Sequence, residues 1–230
     1  MRKVAVIPVK NTSDRVENKN FKEFSNGISL LELKIMQLIE SECFDLIYIS
    51  TNSASAHQIA KKYDEVQIIE REDKYCNNVI NWSEVITQVA NSIPEDEGTA
   101  IAWCHATSPL FSNFKECVKL FEENLKNGSY NGLVTVTSLN EFIVNEAARP
   151  VNYNWGVWHQ YSQDLEKLYS ITGSLFIAEK SEMLKNRYVI STSPLLFEVS
   201  PYEAIDIDTK YDFELAKLLF MNKNLFSNLD

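Results

Sequence analysis

Glycine, proline, histidine and cysteine are all scarce in this chain of 230 residues, and each scarcity removes a class of explanation. Six Gly and six Pro beside 45% hydrophobic residues describe a chain that can bury a sizeable core, neither disordered nor collagen-like. The four cysteines (Cys43, Cys76, Cys104, Cys117) form no CxxC pair, and no His stands at ligand spacing from them. Neither a structural zinc nor a disulfide framework is expected, and the thiols read as small, buried, reduced residues. Only three His are present (His57, His105, His159) and no GxSxG elbow, so Ser-His-Asp hydrolysis lacks its parts. The short apolar stretch from Val4 is too brief for a secretion signal, and no run approaches the roughly 20 apolar residues of a membrane span. The expected location is the cytoplasm, with no membrane partner. Positive charge is also short: 22 Lys+Arg against 32 Asp+Glu give −10. Such a chain repels a phosphodiester polymer, so no nucleic-acid partner is expected. A small polyanion is compatible if basic residues cluster locally and a metal ion adds charge.

What is present is an alternation of short β-rich runs with helix-length amphipathic segments. Strands are expected at 3–9, 45–51, 66–70, 99–104 and 132–137, then again at 174–180 and 195–199. Helices are expected from Ser29 onward, at 53–63, within 79–92, around 112–126 and after AIDID near the C-terminal end. Ser29 with Glu32, and Thr209 with Asp212, have capping-box spacing. Nearly continuous apolar strands separated by helices call for a mostly parallel sheet covered on both faces, the doubly wound α/β class. The alternation lapses between about 139 and 172, where Phe142, Tyr153, Trp155, Trp158, Tyr161 and Tyr169 crowd an irregular segment. One domain spanning 1–230 with an inserted arm is the economical description. Packing in a core or against a second subunit is the simpler account of the arm's aromatics than direct ligand contact.

Three constellations can carry chemistry. In a doubly wound sheet, ligands bind beyond the carboxyl ends of the strands. The loop 10–20 leaves the first strand at that edge with Lys10, Arg15 and Lys19 among Asn11, Thr12, Ser13, Asn18 and Asn20. Arg can fork two phosphate oxygens and Lys supplies a point charge, so this is a natural triphosphate cradle. It contains no Gly, hence neither a Walker A loop nor GxGxxG. A solvated basic loop beside Asp14 and Glu17 is the plain alternative. Second, Asp206 and Asp208 lie two apart in an extended run, which sends both carboxylates to one face. Such a pair suits Mg²⁺, a hard cation that completes its shell with water and phosphate; mere acidic enrichment of a helix N-terminus is the alternative. Third, HATSPL (105–110) ends the fourth strand, with Thr107 and Ser108 as donors and His105 as a substrate contact. Arg71 closes the third strand at the same edge, where a surface ion pair with neighbouring acids is the competing account.

Taken in order, IPVKNTSDRVENKN, NGISLLELKI, CFDLIYIST, ATSPL, TGSLFIAEK and IDIDTKYDF resemble the cytidylyltransferases that activate 3-deoxy-ulosonic sugars, the acylneuraminate (sialic acid) type more than the Kdo type. The resemblance spans most of the chain and implies a Rossmann-like nucleotidyltransferase fold. It implies that CTP lies on Lys10, Asn11, Ser13, Arg15, Lys19 and Asn20, with Arg71 and Asn81 near the base and Thr107 and Ser108 beside it. Lys19, Arg15 and Asp208 become the catalytic group and Asp206 and Asp208 the Mg²⁺ ligands. His105, Asn145, Thr172 and Gly173 fall on the side of the acidic sugar, and the arm pairs two subunits into a homodimer. This sequence departs from the family pattern in having Lys10 for Arg, His105 for Gln and Asn145 for a Lys that approaches the sugar. The nucleotide half is thus better matched than the acceptor half, so the identity of the sugar is left open.

The reaction implied is attack of a sugar hydroxyl on the α-phosphorus of CTP with release of pyrophosphate. Two other readings stay open at the level of the residues. Asp206-x-Asp208 is also the DxD of metal-dependent glycosyltransferases, although such motifs typically lie mid-chain. A non-catalytic nucleotide-binding relative is equally compatible with a fold, since a fold alone does not set an activity.

Overall fold

A computed structural model describes residues 1–11, 15–77 and 79–223. The central sheet is built from β1 (Lys3–Pro8), β4 (Leu46–Thr51), β5 (Val66–Glu70), β6 (Ala100–Trp103), β7 (Gly132–Leu139), β8 (Leu168–Glu179) and β9 (Pro194–Glu198), ordered β5-β4-β1-β6-β8-β7-β9 among the described residues. A small hairpin of β2 (Glu23–Ser25) and β3 (Ile28–Ser29) stands apart from it. The helices are α1 (Leu30–Ser41), α2 (Ala54–Ala60), α3 (Trp82–Ser92), α4 (Phe114–Asn127), α5 (Lys180–Asn186) and α6 (Lys210–Met221).

The two-residue period of a strand decides how the sheet is covered. Along β1, Ala5 and Ile7 face one core with α1, α2, α4 and α6, while Val4 and Val6 face the other with α3 and α5. All four are fully buried. This explains why the strand reads as an unbroken apolar run instead of an alternating one. Pairing is parallel from β5 through β6 and between β7 and β9, and only β8 runs antiparallel to both its neighbours. Chain order turns back at β1, whose neighbours are β4 and β6, and there a crevice opens beyond the carboxyl ends of the strands.

Three features depart from the expected layout. The hairpin turns on Asn26 (φ 51°) and Gly27 (φ 79°), the left-handed pair that a tight Asn-Gly turn requires; this is a strong local signal that the helix-and-strand alternation passes over. At α1, Ser29 accepts from the Glu32 N–H at 3.2 Å, but the Glu32 carboxylate does not close the box. It accepts instead from Lys62 Nζ (2.8 Å) and Tyr63 Oη (3.2 Å) at the end of α2. The box at Thr209 and Asp212 is complete. Third, β8 begins at Leu168, six residues before the expected strand, because Ile171–Leu168 pair with Val136–Leu139 and carry the ribbon out toward the arm. Within residues 140–167, Phe142 stacks on His159 at 4.9 Å with Tyr153 edge-on, whereas Trp155, Trp158 and Tyr161 stand in solvent.

The β7/β8 register slips between Val134↔Phe176 and Val136↔Ile171, so residues 172–175 bulge from the ladder. Two buried hydroxyls fill the gap. Thr135 Oγ1 accepts from the Leu175 N–H at 3.1 Å, and Thr172 Oγ1 reaches Thr135 Oγ1 at 2.7 Å. From the opposite side, α1 supports the turn that follows β6. Lys34 Nζ donates to the Ser108 carbonyl at 2.9 Å and Gln37 Nε2 to the Pro109 carbonyl at 2.7 Å.

Lys34 is wholly buried, near the Phe114 ring, and burial pushes its amine down to about 8. The folded amine therefore holds fewer protons than the unfolded one between about pH 8 and 10.5, and stability attributable to Lys34 rises with pH across that window. Urea unfolding of wild type and Lys34→Met at pH 7 to 10 is expected to move in favour of wild type as pH rises, by up to about 3 kcal/mol. A stability difference that stays constant with pH overturns this account of the buried amine.

Candidate active site

Segments after the carboxyl ends of three strands meet at the crevice. The loop after β1 supplies Lys10, Arg15, Lys19 and Asn20; the end of β5 supplies Arg71; the turn after β6 supplies His105 and Thr107. Together with Tyr75, Ile80 and Trp82 they surround a cleft of about 600 Å³. A chain of net charge −10 thus gathers four cations around one cavity. Concentrating one sign in a concave site is how a protein attracts a small polyanion irrespective of its overall charge.

The acid segment is fixed to this edge by its alternation. Ile207 is fully buried in the core, and its N–H donates to the Thr107 carbonyl at 2.9 Å. Asp206 and Asp208, on either side, are left at the cleft margin. Asp208 Oδ1 meets Arg15 Nη2 at 2.6 Å and Lys19 Nζ at 3.7 Å. Lys19 Nζ also donates to the Ile207 carbonyl. Burial pulls the Lys19 amine below the ordinary lysine range, opposed by Asp206 and Asp208. Asp208 is in turn tied to the start of α6, where its N–H donates to Asp212 Oδ2 at 3.1 Å. The segment thus starts α6 and presents the Asp208 carboxylate to Arg15 and Lys19 with different atoms.

Several buried polar atoms around the cleft have no partner among the described residues: Asn20 Oδ1, Arg71 Nε, Ser108 Oγ and Asp206 Oδ1. Leaving such a group unpaired costs about 1–3 kcal/mol, and four at one edge point to a polar ligand. Arg71 is held by its own backbone N–H to Thr51 (2.8 Å) and by Nη2 to the Val9 carbonyl (2.6 Å). Burial lowers its pKa from the usual guanidinium value. His105 is likewise lowered by burial, against the raising influence of Asp206.

Not every residue expected at the site lines the cleft. Asn11 is pinned to the end of β4, accepting from Ser53 Oγ at 3.2 Å. Asn81 holds the N-cap position of α3 without a side-chain cap bond, between Ile80 and Trp82, which do face the cavity. Thr172 spends its hydroxyl on Thr135, while the adjacent Gly173 lies against His105, Ser108 and Asp206. Asn145 is on the arm, where its side-chain oxygen accepts from the Ala147 and Arg149 N–H groups at 3.0 Å each. Ser13 lies outside the described residues. Sequence reading missed Tyr75, Asn77 and Trp82 as lining residues. Its one available signal was a large aromatic, Trp82, at the mouth of a helix without a Ser, Thr or Asp cap.

The fold is that of the α/β nucleotidyltransferases. The structure of CMP:2-keto-3-deoxy-manno-octonic acid synthetase complexed with CTP superposes with a TM-score of 0.69 at 10% identity, covering 97% of this chain and 100% of that one. The chain belongs to the cytidylyltransferase family, whose signature matches residues 4–229. It is 24% identical over 228 residues to the pseudaminic acid cytidylyltransferase of Campylobacter jejuni, covering 96% of this chain and 97% of that protein. It is 27% identical over 241 residues to the CMP-N,N'-diacetyllegionaminic acid synthase of Legionella pneumophila, covering 97% and 98%. Among the described residues no helix is long and apolar enough to cross a membrane.

The Arg15–Asp208 pair is open to solvent, with side-chain exposures of 65% and 44%. Such pairs contribute little to folding. Arg15→Gln is expected to change the unfolding free energy by less than about 1 kcal/mol in urea melts. A larger loss marks the pair as structural, not as part of a binding site.

Proposed function

We propose that this chain transfers CMP from CTP to an acidic sugar of the nonulosonic type, releasing pyrophosphate. The observation that carries the reading is the meeting of the first loop with the acid segment, Arg15 and Lys19 on Asp208, at the mouth of a cation-lined cleft. The names of the two relatives, a pseudaminic acid cytidylyltransferase and a CMP-diacetyllegionaminic acid synthase, support both the donor and the class of acceptor.

In this reading Lys10, Arg15 and Lys19 receive the triphosphate, and the Tyr75–Trp82 wall with Arg71 lies by the base. A sugar hydroxyl attacks the α-phosphorus. The new P–O bond forms as the bond to the β-phosphate bridge breaks, the hydroxyl proton passes to solvent, and pyrophosphate departs. The protein's work is orientation and stabilisation of charge growing on the phosphates. Lys19, held in place by the Ile207 carbonyl, suits the α-phosphate, and Arg15 is free to leave Asp208 for phosphate oxygens as the ligand arrives.

Asp206 and Asp208 fit a bound Mg²⁺. Asp206 has a buried oxygen with no partner among the described residues. Two carboxylates suit a cation that takes water and phosphate for its other ligands. When bound, Mg²⁺ supplies neutralisation of phosphate charge and acidification of a coordinated hydroxyl. The exposed Trp155, Trp158 and Tyr161 of the arm fit burial against a second copy in a homodimer, and the cytoplasm, where CTP is made, fits the reaction.

The test is to incubate the protein with Mg²⁺ and each nucleoside triphosphate against a panel of acidic sugars, reading pyrophosphate and the new nucleotide sugar. CTP with one nonulosonic acid is expected to give both products, and chelation to stop them. CTP binding without turnover on any acid supports a non-catalytic relative instead. Asp208→Ala and Lys19→Ala are each expected to lose about 10²–10³ in turnover with the circular dichroism spectrum unchanged. Wild-type turnover in either variant refutes these roles.

A further inference from the structure

The aromatic wall behind the cleft contains one hydrogen bond that a purely apolar packing does not need. Trp103, fully buried on β6, donates its indole N–H to His105 Nε2 at 3.1 Å. An indole nitrogen is a donor only, so Nε2 must accept, and a ring whose Nε2 accepts carries its single proton on Nδ1. The ring is held on its other faces by Trp82 at 6.4 Å and Phe176 at 5.9 Å between centroids. Trp82 itself packs edge-on against Trp103 at 5.7 Å.

The free nitrogen has a defined place. A methyl built on Gly173 would come within 2.9 Å of His105 Nδ1, 3.4 Å of Ser108 Oγ and 3.6 Å of Asp206 Cγ. The β8 bulge therefore brings backbone lacking a side chain against Nδ1, with Ser108 and Asp206 beside it, while the His105 ring lines the cleft. Among the described residues Ser108 Oγ and Asp206 Oδ1 have no partner, and Nδ1 makes no hydrogen bond.

We propose that Trp103 is a positioning residue that sets the tautomer of His105, so that the imidazole presents Nδ1–H to a hydroxyl or carboxylate oxygen of the second substrate. The inference rests on the proposed function for the identity of that substrate as an acidic sugar. The tautomer itself is independent of any activity. Trp103 touches no reacting atom in this scheme and acts only through the ring it holds.

Long-range proton–nitrogen correlation spectra of the ¹⁵N-labelled full chain read the tautomer directly, with His105→Asn identifying the signal among the three histidines. A pyrrole-type Nδ1 and a pyridine-type Nε2 are expected at His105 in wild type. Proton on Nε2, or on both nitrogens, overturns the proposal whether or not Trp103 variants fold. In Trp103→Phe, which keeps an aromatic ring and removes the N–H, the tautomer is expected to become mixed. KM for the acidic sugar is expected to rise about tenfold, the scale of one hydrogen bond, while KM for CTP stays put. His105→Asn places an amide N–H where Nδ1–H stood and needs no tautomer. In that background Trp103→Phe is expected to cost nothing more, a cycle that isolates the coupling. An equal loss in both backgrounds shows that Trp103 acts by packing and sinks the assignment. A chain with His105 protonated on Nδ1 but no CMP transfer breaks the proposed function and leaves the tautomer inference standing. Transfer with the proton on Nε2 does the reverse.

Discussion

The cleft depends on the acid segment being held against the first loop. Arg15 and Asp208 are 193 positions apart, yet their charges meet at 2.6 Å, with Lys19 on the same carboxylate. Little folding energy is at stake in that exposed contact. Its importance is spatial, since it closes one side of a cleft whose remaining walls come from β5, β6 and the segment before α3. Three independent anchors hold the acid segment there: Ile207 in the core, its N–H on the Thr107 carbonyl, and the capping box that begins α6. The ion pair registers a position already set by burial and backbone bonding.

The sheet makes that position possible. Chain order turns back beside β1, and the crevice at the turning point receives the loop after β1 and the turn after β6 side by side. The β6 turn is braced on two sides. Lys34 and Gln37 of α1 hold its carbonyls from one core, and the β8 bulge lays Gly173 against its His105 from the other. A charged amine in full burial and four missing ladder residues are both locally unfavourable. Each is found where it fixes the geometry of the cleft, in keeping with the general placement of local cost at functional sites.

The division of the site into two halves follows from the same layout. The cations sit on the β1 loop and β5, on one side of the cleft. The aromatic group of Trp82, Trp103, His105 and Phe176 stands behind the β6 turn, with Trp103 and Phe176 in the other core. Relatives that share 24–27% of residues along nearly the whole chain are named for different acids.

The sequence by itself determined the α/β class, the strand order in sequence, the helix start at Ser29 and the capping box at Thr209, because these follow from periodicity and local chemistry. It also marked Lys10, Arg15 and Lys19, and separately Asp206 and Asp208, as candidate groups, since clustered charge of one sign and paired carboxylates are visible in linear order. Only the tertiary structure decided that Arg15 reaches Asp208, that Asn11, Thr172 and Asn145 spend their polar atoms locally, and that Trp103 faces His105. Those outcomes depend on which hydrogen-bond partners become available after strands far apart in sequence are brought side by side. The bulge at 172–175 is of the same kind, a slip in register between two strands that neither strand encodes alone.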